Sequence, residues 1–324
     1  MTSPVLVTGG AGFIGSHLIE RLIGRQQPVI CLDNFDPYYS PHLKRDNLRE
    51  ALRSGLVTLE ETDICDREAV ENLFRLHRFA SVVHLAARPG VRPSLKDPDP
   101  YLRINIAGTL NVIRAAVENG VQRVVFASSS SIYGSLTHRA REDRDLPQPL
   151  SPYAASKVAG EALCHAYAAS SGITTVVLRF FTVYGPRQRP DMAINRFTHA
   201  IWQGMPITVF GDGTSRRDYT FIDDIIDGVD ASILAPLDGY QVFNLGGSRP
   251  VQLLELIGLL EHRLGKRALV EFQPRGTGEP ELTFADVTAA GQRLGFRPRV
   301  GIEEGTKKYV HWYLENQGAL AKSL

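Results

Sequence analysis

The chain has 324 residues, with 36 Lys and Arg against 35 Asp and Glu, a formal net charge of +1 and 43% hydrophobic residues. Balanced charge with no basic stripe argues against nucleic acid or a membrane surface as partner, and the length suits one large and one smaller α/β unit around a sizeable core. Cys31, Cys65 and Cys164 are scattered and not in metal-ligand pairs, which points to free thiols and no bound metal; with no leader-like segment and no apolar run of spanning length, a cytoplasmic protein is expected.

Residues 5–15 read Val-Leu-Val-Thr-Gly-Gly-Ala-Gly-Phe-Ile-Gly, a short buried strand, a glycine-rich turn and a helix start. This pattern suits a dinucleotide cradle. Gly9 turns the chain sharply out of the strand, Gly12 lets backbone N–H groups approach a pyrophosphate, and Gly15 lets the helix pack close against the sheet. The anion would sit on the positive end of the helix dipole. A helix over 16–25 leads to an apolar run over 28–33 that ends on Asp33, about 20 residues beyond the glycines, where ribose hydroxyls are expected. A carboxylate there repels a 2′-phosphate, so NAD is favoured over NADP.

Residues 34–44 are polar and aromatic (Asp36-Pro37-Tyr38-Tyr39), too irregular for a strand and placed at a strand end, so they are expected to cover the cofactor. Strand and helix patterns then alternate: 57–61, 67–78, 81–87, a long helix over 100–119, 121–129, a helix over 152–170 with Pro at its start, and 174–180. A parallel sheet follows. The charge run 139–145 reads as a solvated loop. Near 181 the alternation breaks, at Gly185-Pro186-Arg187-Gln188-Arg189-Pro190, and a second unit is expected to begin. A helix over 222–235 and a strand over 241–245 are apolar enough to return to the main sheet. The fold expected is α/β: a doubly wound parallel sheet of Rossmann type over 1–180 plus about 221–249, and a smaller C-terminal α/β substrate lobe formed by 181–220 and 250–324.

Tyr153-Ala-Ala-Ser-Lys157 places a phenol and an ammonium one helical turn apart on the same face. A phenol of pKa about 10 is a poor base at neutral pH, but cations such as Lys157 and an oxidised nicotinamide lower it by roughly 1 to 3 units each. Tyr153 would then take a proton from a sugar or alcohol hydroxyl while a hydride leaves the same carbon for NAD, and Ser129 would hold that hydroxyl. A surface Tyr–Lys contact explains the pair taken alone; the glycine turn upstream favours catalysis. His84, His165, His311, Trp202 and Trp312 read as packing residues.

These residues resemble the extended short-chain dehydrogenase/reductase family, which carries the 8–15 turn, Phe13 and Ile14 included, and the Tyr153–Lys157 pair. The resemblance runs nearly end to end. It implies cofactor contacts from Asn34 and Lys44, from Asp63 and Ile64 near the adenine, from Leu85, Ala86 and Ala87 beneath the nicotinamide ribose, and from Asn105 on the long helix. Members work mostly on nucleoside-diphosphate sugars. Dehydratases and decarboxylating members typically carry a Glu just before Val-Tyr-Gly, whereas this chain reads Ser128-Ser129-Ser130-Ser131-Ile132-Tyr133-Gly134. The pattern is similar to a 4-epimerase, in which hydride goes to NAD, the 4-keto sugar rotates, and the hydride returns to its other face.

Two stretches are similar to UDP-glucuronate 4-epimerases: Arg179-Phe-Phe-Thr182-Val-Tyr-Gly-Pro-Arg187-Gln-Arg189-Pro-Asp191-Met-Ala193, and the loop with Tyr38-Tyr39 and Leu43-Lys44-Arg45. A weaker match, Arg88-Pro-Gly90-Val91-Arg92-Pro-Ser94, adds Arg92. A sugar carboxylate needs cationic or dipolar donors, which Arg189, Thr182, Ser130 and Ser131 supply, and Ala193 closes that stretch. For the UDP moiety the resemblance implies Arg217 at the diphosphate, Thr208 and Phe210 at the uracil, and Arg275 with Glu279 at phosphate and ribose. The segment Gln273-Pro-Arg-Gly-Thr-Gly-Glu279-Pro departs from the family's usual Pro-Gly-Asp-Val-Pro. The expected substrate is UDP-glucuronate, with UDP-glucose as the alternative, and a homodimer through a four-helix bundle of the helices near 100–119 and 152–170 is implied. A catalytically silent NAD-binding regulator is the reading from another class; Ser129, Tyr153 and Lys157 occurring together weigh against it.

Overall fold

The computed structural model describes residues 3–274 and 280–321, so Arg275 and Glu279 lie outside the described residues. In chain order the strands are β1 (Val5–Thr8), β2 (Val29–Leu32), β3 (Val57–Glu60), β4 (Ser81–His84), β5 (Arg123–Ser129) and β6 (Thr174–Phe180). They continue as β7 (Thr182–Tyr184), β8 (Pro206–Phe210), β9 (Arg216–Phe221), β10 (Tyr240–Leu245), β11 (Pro250–Gln252) and β12 (Leu269–Gln273). The strands β1, β2 and β4 are buried at every position, which is why they read as continuous apolar runs: a parallel strand is covered on both faces.

Seven strands form one sheet in the order β10-β6-β5-β4-β1-β2-β3, all pairs parallel. Alternate side chains divide its two cores. Val5, Val7, Val29, Cys31 and Val125 point into one, shared with Leu18 and Leu22 of the helix Phe13–Gly24 and with Ile225 and Val229 of the helix Ile222–Leu234. Leu6, Ile30, Leu32, Val82 and Val124 point into the other, shared with Val70 and Phe74 of the helix Arg67–Leu76, Val112 of Thr109–Glu118 and Cys164 of Pro152–Ser171. The strand order runs outward from β1 in both directions, which opens a crevice at the carboxyl ends of β1 and β4. Two small sheets, β11-β9-β7 and β12-β8, stand beside it, and β10 returns to pair with β6.

Two elements differ from their sequence reading. The stretch 100–119 is not one α-helix: a turn at Asp99–Tyr101 runs into a π-helical segment, Leu102–Gly108, before the α-helix Thr109–Glu118. Periodicity cannot show one extra residue in a turn. The second is the helix Pro41–Arg53, which takes over part of the stretch read as irregular. Its buried residues are only Lys44, Leu48 and Ala51, so its apolar stripe is too thin to register as a period.

One buried polar network ties the sheet to the helix Pro152–Ser171. Arg179 on β6 grips Glu161 through Nε at 3.0 Å and Nη2 at 2.8 Å, and the Ser128 hydroxyl donates to the same carboxylate. Arg179 Nη1 donates to the Tyr133 hydroxyl at 2.7 Å, which donates to Asn244 Oδ1 on β10 at 2.7 Å. Glu161 and Arg179 are both buried. Removing one partner strands the other charge. Glu161→Ala should therefore destabilise the protein by about 3–5 kcal/mol in denaturant unfolding, and pairing Glu161→Leu with Arg179→Met should cost less than the single change.

Candidate active site

Two cavities meet at the carboxyl ends of the central strands, sharing Phe13, Ile14, Ser128, Tyr153, Phe180 and Arg189 in their walls. The first is floored by the glycine turn. Gly9 has φ +69° and a Cβ there would stand 2.7 Å from the Ala86 nitrogen, so the strand can leave β1 this way only without a side chain. A Cβ on Gly15 would fall 2.3 Å from the Gly9 carbonyl oxygen. Gly15 thus packs against the turn's own backbone rather than against a strand, a correction to the expected contact. The helix Phe13–Gly24 begins at Gly12 with no side-chain cap, leaving first-turn N–H groups that lack intrahelical acceptors. Such a cradle fits a pyrophosphate.

Asp33 is buried at the end of β2, where Oδ2 accepts from the Ala11 N–H at 3.1 Å and Oδ1 from the Phe35 N–H at 2.9 Å. Burial raises its pKa, while Lys44 and the two N–H groups oppose that rise. The Lys44 ammonium donates to the Asp36 carbonyl at 2.8 Å and lies 4.8 Å from the Tyr39 ring centroid. Asn34 donates to Asp63 at 3.2 Å, which fastens one rim. Gly9, Gly12, Phe13, Ile14, Gly15, Asp33, Asn34, Lys44, Asp63, Ile64, Leu85, Ala86, Ala87, Tyr153 and Lys157 all line this cavity.

Asn105 does not line it. From the π-helical segment its amide donates to the Arg88 carbonyl at 3.0 Å and to Ser156 Oγ at 2.9 Å, and its oxygen accepts from the Arg88 N–H at 2.7 Å. It therefore fixes the chain leaving β4 to the helix that carries Tyr153, where a direct cofactor contact was expected. His84 works similarly behind the wall. Thr109 donates to the Asn105 carbonyl, so His84 Nε2 must be the donor to Thr109 Oγ1 at 2.9 Å, and Nδ1 accepts from the Thr8 hydroxyl at 2.7 Å. Burial first, and then Lys157, push His84 down to about 3, so it stays neutral.

At the junction Tyr153 and Ser129 stand together in the wall of the second cavity, and Ser129 acts on the phenol. Ser129 Oγ also accepts from the Ser131 N–H at 3.2 Å and from the Ser131 hydroxyl at 2.9 Å. Burial raises the Tyr153 pKa, and the groups that pull it down are Ser129 and then Arg189. Lys157 was expected in that role. Its ammonium instead donates to the Ala127 carbonyl at 2.7 Å, over the Phe126 ring, and burial pushes it down to about 8. The carbonyl attracts the charge toward β5, leaving Arg189 as the cation that acts on the phenol.

The second cavity is lined by Arg92, Ser129, Ser130, Ser131, Thr182, Arg189, Ala193, Thr208, Phe210 and Arg217. Arg189 makes a two-pronged fork with Asp191, Nε to Oδ1 at 2.9 Å and Nη2 to Oδ2 at 3.0 Å. The Arg92 guanidinium lies 3.8 Å from the Phe210 ring centroid, so one face of the ring expected to stack on uracil is already covered. Arg217 Nη1 donates to the carbonyls of Arg216 and Glu281. The sequence reading gave no individual role to Asp36, Tyr38, Tyr39, Arg88 or Asp191, which also stand in these walls. Tyr38, Tyr39, Arg88 and Asp191 lie in stretches that carry the family resemblance and Asp36 just before one of them, yet neither spacing nor composition assigns them. Among the described residues no His, Cys, Asp and Glu group is arranged to hold a metal ion, and no helix is long and apolar enough to cross a membrane.

Residues 5–246 match the NAD dependent epimerase/dehydratase family. Over 312 residues the chain is 42% identical to a UDP-glucuronate 4-epimerase of Thermodesulfobacterium geofontis, covering 96% of each chain. It is similar in structure to the Bacillus cereus UDP-glucuronic acid 4-epimerase solved with UDP-glucuronic acid and NAD, with a TM-score of 0.92, 38% identity, and 96% and 99% of the two chains covered. A UDP-glucose 4-epimerase of Thermotoga maritima solved with UDP-glucose superposes with a TM-score of 0.89 at 32% identity, covering 97% and 99%. The cofactor is NAD. Asp33→Asn should keep the turn closed through its remaining acceptor but weaken NAD binding about tenfold and narrow the preference over NADP, read by titrating both dinucleotides.

Proposed function

Because the chain belongs to the NAD dependent epimerase/dehydratase family, we propose that it interconverts UDP-glucuronate and UDP-galacturonate by inverting C4. The observation that carries this reading is the place of Arg189: it lines both cavities, acts electrostatically on Tyr153, and shares a wall with Ser130, Ser131 and Thr182. A guanidinium with three hydroxyls beside it suits a sugar carboxylate.

In this reading residues 1–180 with about 221–249 hold NAD, and 181–220 with 250–324 hold the nucleotide sugar. NAD, held by the glycine turn at Gly9, Gly12 and Gly15 and by Asp33, would supply the hydride acceptor for oxidation at C4 and the donor for its reversal. Tyr153, as phenolate, takes the proton of the C4 hydroxyl and gives it back after the sugar has turned. Ser129 orients that hydroxyl, its Oγ accepting from the Ser131 N–H, while the Ser131 hydroxyl turns from Ser129 to the sugar carboxylate when an acid is bound. Lys157, tied to the Ala127 carbonyl, holds the Tyr153 helix against β5 and adds positive charge behind the reacting carbon. Arg189, Thr182, Ser130 and Ser131 hold the carboxylate away from the axis along which a 4-keto acid would lose carbon dioxide. Arg92, Ala193, Thr208, Phe210 and Arg217 complete the nucleotide-sugar wall.

The same proposal places the enzyme in the cytoplasm, supported by three free cysteines. It also pairs two chains through the helices near 100–119 and 152–170, supported by the half-exposed Leu102 on that surface. A second reading, UDP-glucose 4-epimerase, is favoured by one observation: Asp191 already neutralises Arg189, so the cavity does not demand an acid.

Tyr153→Phe should retain bound NAD, measured after denaturing release, and lose turnover by about 10²–10⁴-fold. Undiminished turnover would remove Tyr153 as the base. Arg189→Ala should reduce kcat/KM for UDP-glucuronate about 30-fold or more relative to UDP-glucose, followed by proton NMR without added NAD. Equal losses on both sugars would overturn the substrate assignment and leave the epimerase chemistry standing.

A further inference from the structure

We infer that Asp191 is a specificity-determining residue: its carboxylate occupies the Arg189 fork and limits how tightly that arginine grips an acidic sugar. The inference rests on the UDP-glucuronate reading above and adds to it a residue that weakens, rather than supplies, the carboxylate contact.

Arg189 has five N–H donors. Asp191 takes two of them, at 2.9 and 3.0 Å. Asp191 is itself held from the other side, since the Tyr38 hydroxyl donates to Oδ2 at 3.1 Å. The Tyr38 ring centroid lies 6.0 Å from the Arg189 guanidinium and 4.5 Å from that of Arg88, which pairs with Asp36 at 2.7 Å. Arg189 and Arg88 therefore each carry a carboxylate of the chain. A sugar acid entering here meets a neutral Arg189–Asp191 pair, with the three guanidinium N–H groups that Asp191 does not use, instead of a net positive charge.

That arrangement suits a reaction in which the bound sugar must change pose. The carboxylate is attached to the ring and moves when the 4-keto sugar turns its other face to the nicotinamide. An arginine with no counter-charge would form a two-pronged grip in one pose and resist both the turn and product release. With Asp191 on the fork, the hydroxyls of Ser130, Ser131 and Thr182 carry a larger share of the contact, and these rotate with their acceptor. The chain thus gives up affinity for the acid to keep it mobile.

The test is binding of UDP-glucuronate and of UDP-glucose to the NAD-loaded Tyr153→Phe protein by calorimetry, with and without Asp191→Asn. The near-isosteric amide removes the charge, so the preference for the acid over the neutral sugar should rise about tenfold. In the protein with Tyr153 intact, Asp191→Asn should lower KM and kcat together for UDP-glucuronate. Tyr38→Phe should move the preference the opposite way, because Asp191 without its phenolic donor pairs harder with Arg189. A preference unchanged or lowered by Asp191→Asn overturns the inference and leaves Asp191 as a residue that only aims Arg189. If the parent protein binds both sugars equally, the acid reading fails first and the inference with it.

Discussion

The close approach of the Gly9 α-carbon to the backbone of Ala86 sets the position of everything else in the site. It lets β1 end in a tight turn beside the chain leaving β4, and the helix after the turn then starts with its N–H groups facing the crevice between those strands. Asp33 closes the turn from β2 through the Ala11 N–H, and the same carboxylate orders the next loop through Phe35. Two strands and two loops are thereby referred to one turn that leaves no room for a side chain.

A second level of organisation comes from the helix Pro152–Ser171, which presents Tyr153, Lys157 and Glu161 at successive turns of one face. Each residue is answered by a different part of the sheet: Ser129, the Ala127 carbonyl, and Arg179 with Ser128. The helix cannot slide along its axis without breaking all three. On its other side Asn105 joins Ser156 to Arg88, so the cavity wall and the catalytic helix are positioned by the same amide. Precision at the phenol is the product of several ordinary hydrogen bonds with different origins in the fold.

Much of this was legible in the residues. Glycine spacing marked the turn, unbroken apolar runs marked the doubly covered strands, and the fall of alternation after 181 coincides with the start of the small sheets. Among the described residues, those expected in the cofactor and sugar walls line the two cavities, Asn105 excepted, while Arg275 and Glu279 lie outside the described residues. What sequence does not carry is the direction in which a long side chain commits itself. Lys157 could face Tyr153 or β5 from the same helical position, and the carbonyl of Ala127 decides it. Arg189 could stand open or paired, and Asp191 two residues on decides that. Phe210 is aromatic in either reading, but only the fold brings Arg92 onto it. The helix Pro41–Arg53 escaped notice because its burial rests on three residues.

The π-helical segment Leu102–Gly108 also constrains how this sequence can drift over evolution. Each residue in a helix turns the chain by roughly 100°, so an insertion or deletion there rotates all that follows, and Asn105 would leave Arg88 and Ser156 while Thr109 left His84. Asn105 within the segment and Thr109 immediately after it make these attachments within five positions. Gaps in descendants of this chain should therefore collect in the loops on either side, and the stretch between Tyr101 and Thr109 should keep its length even where its residues change.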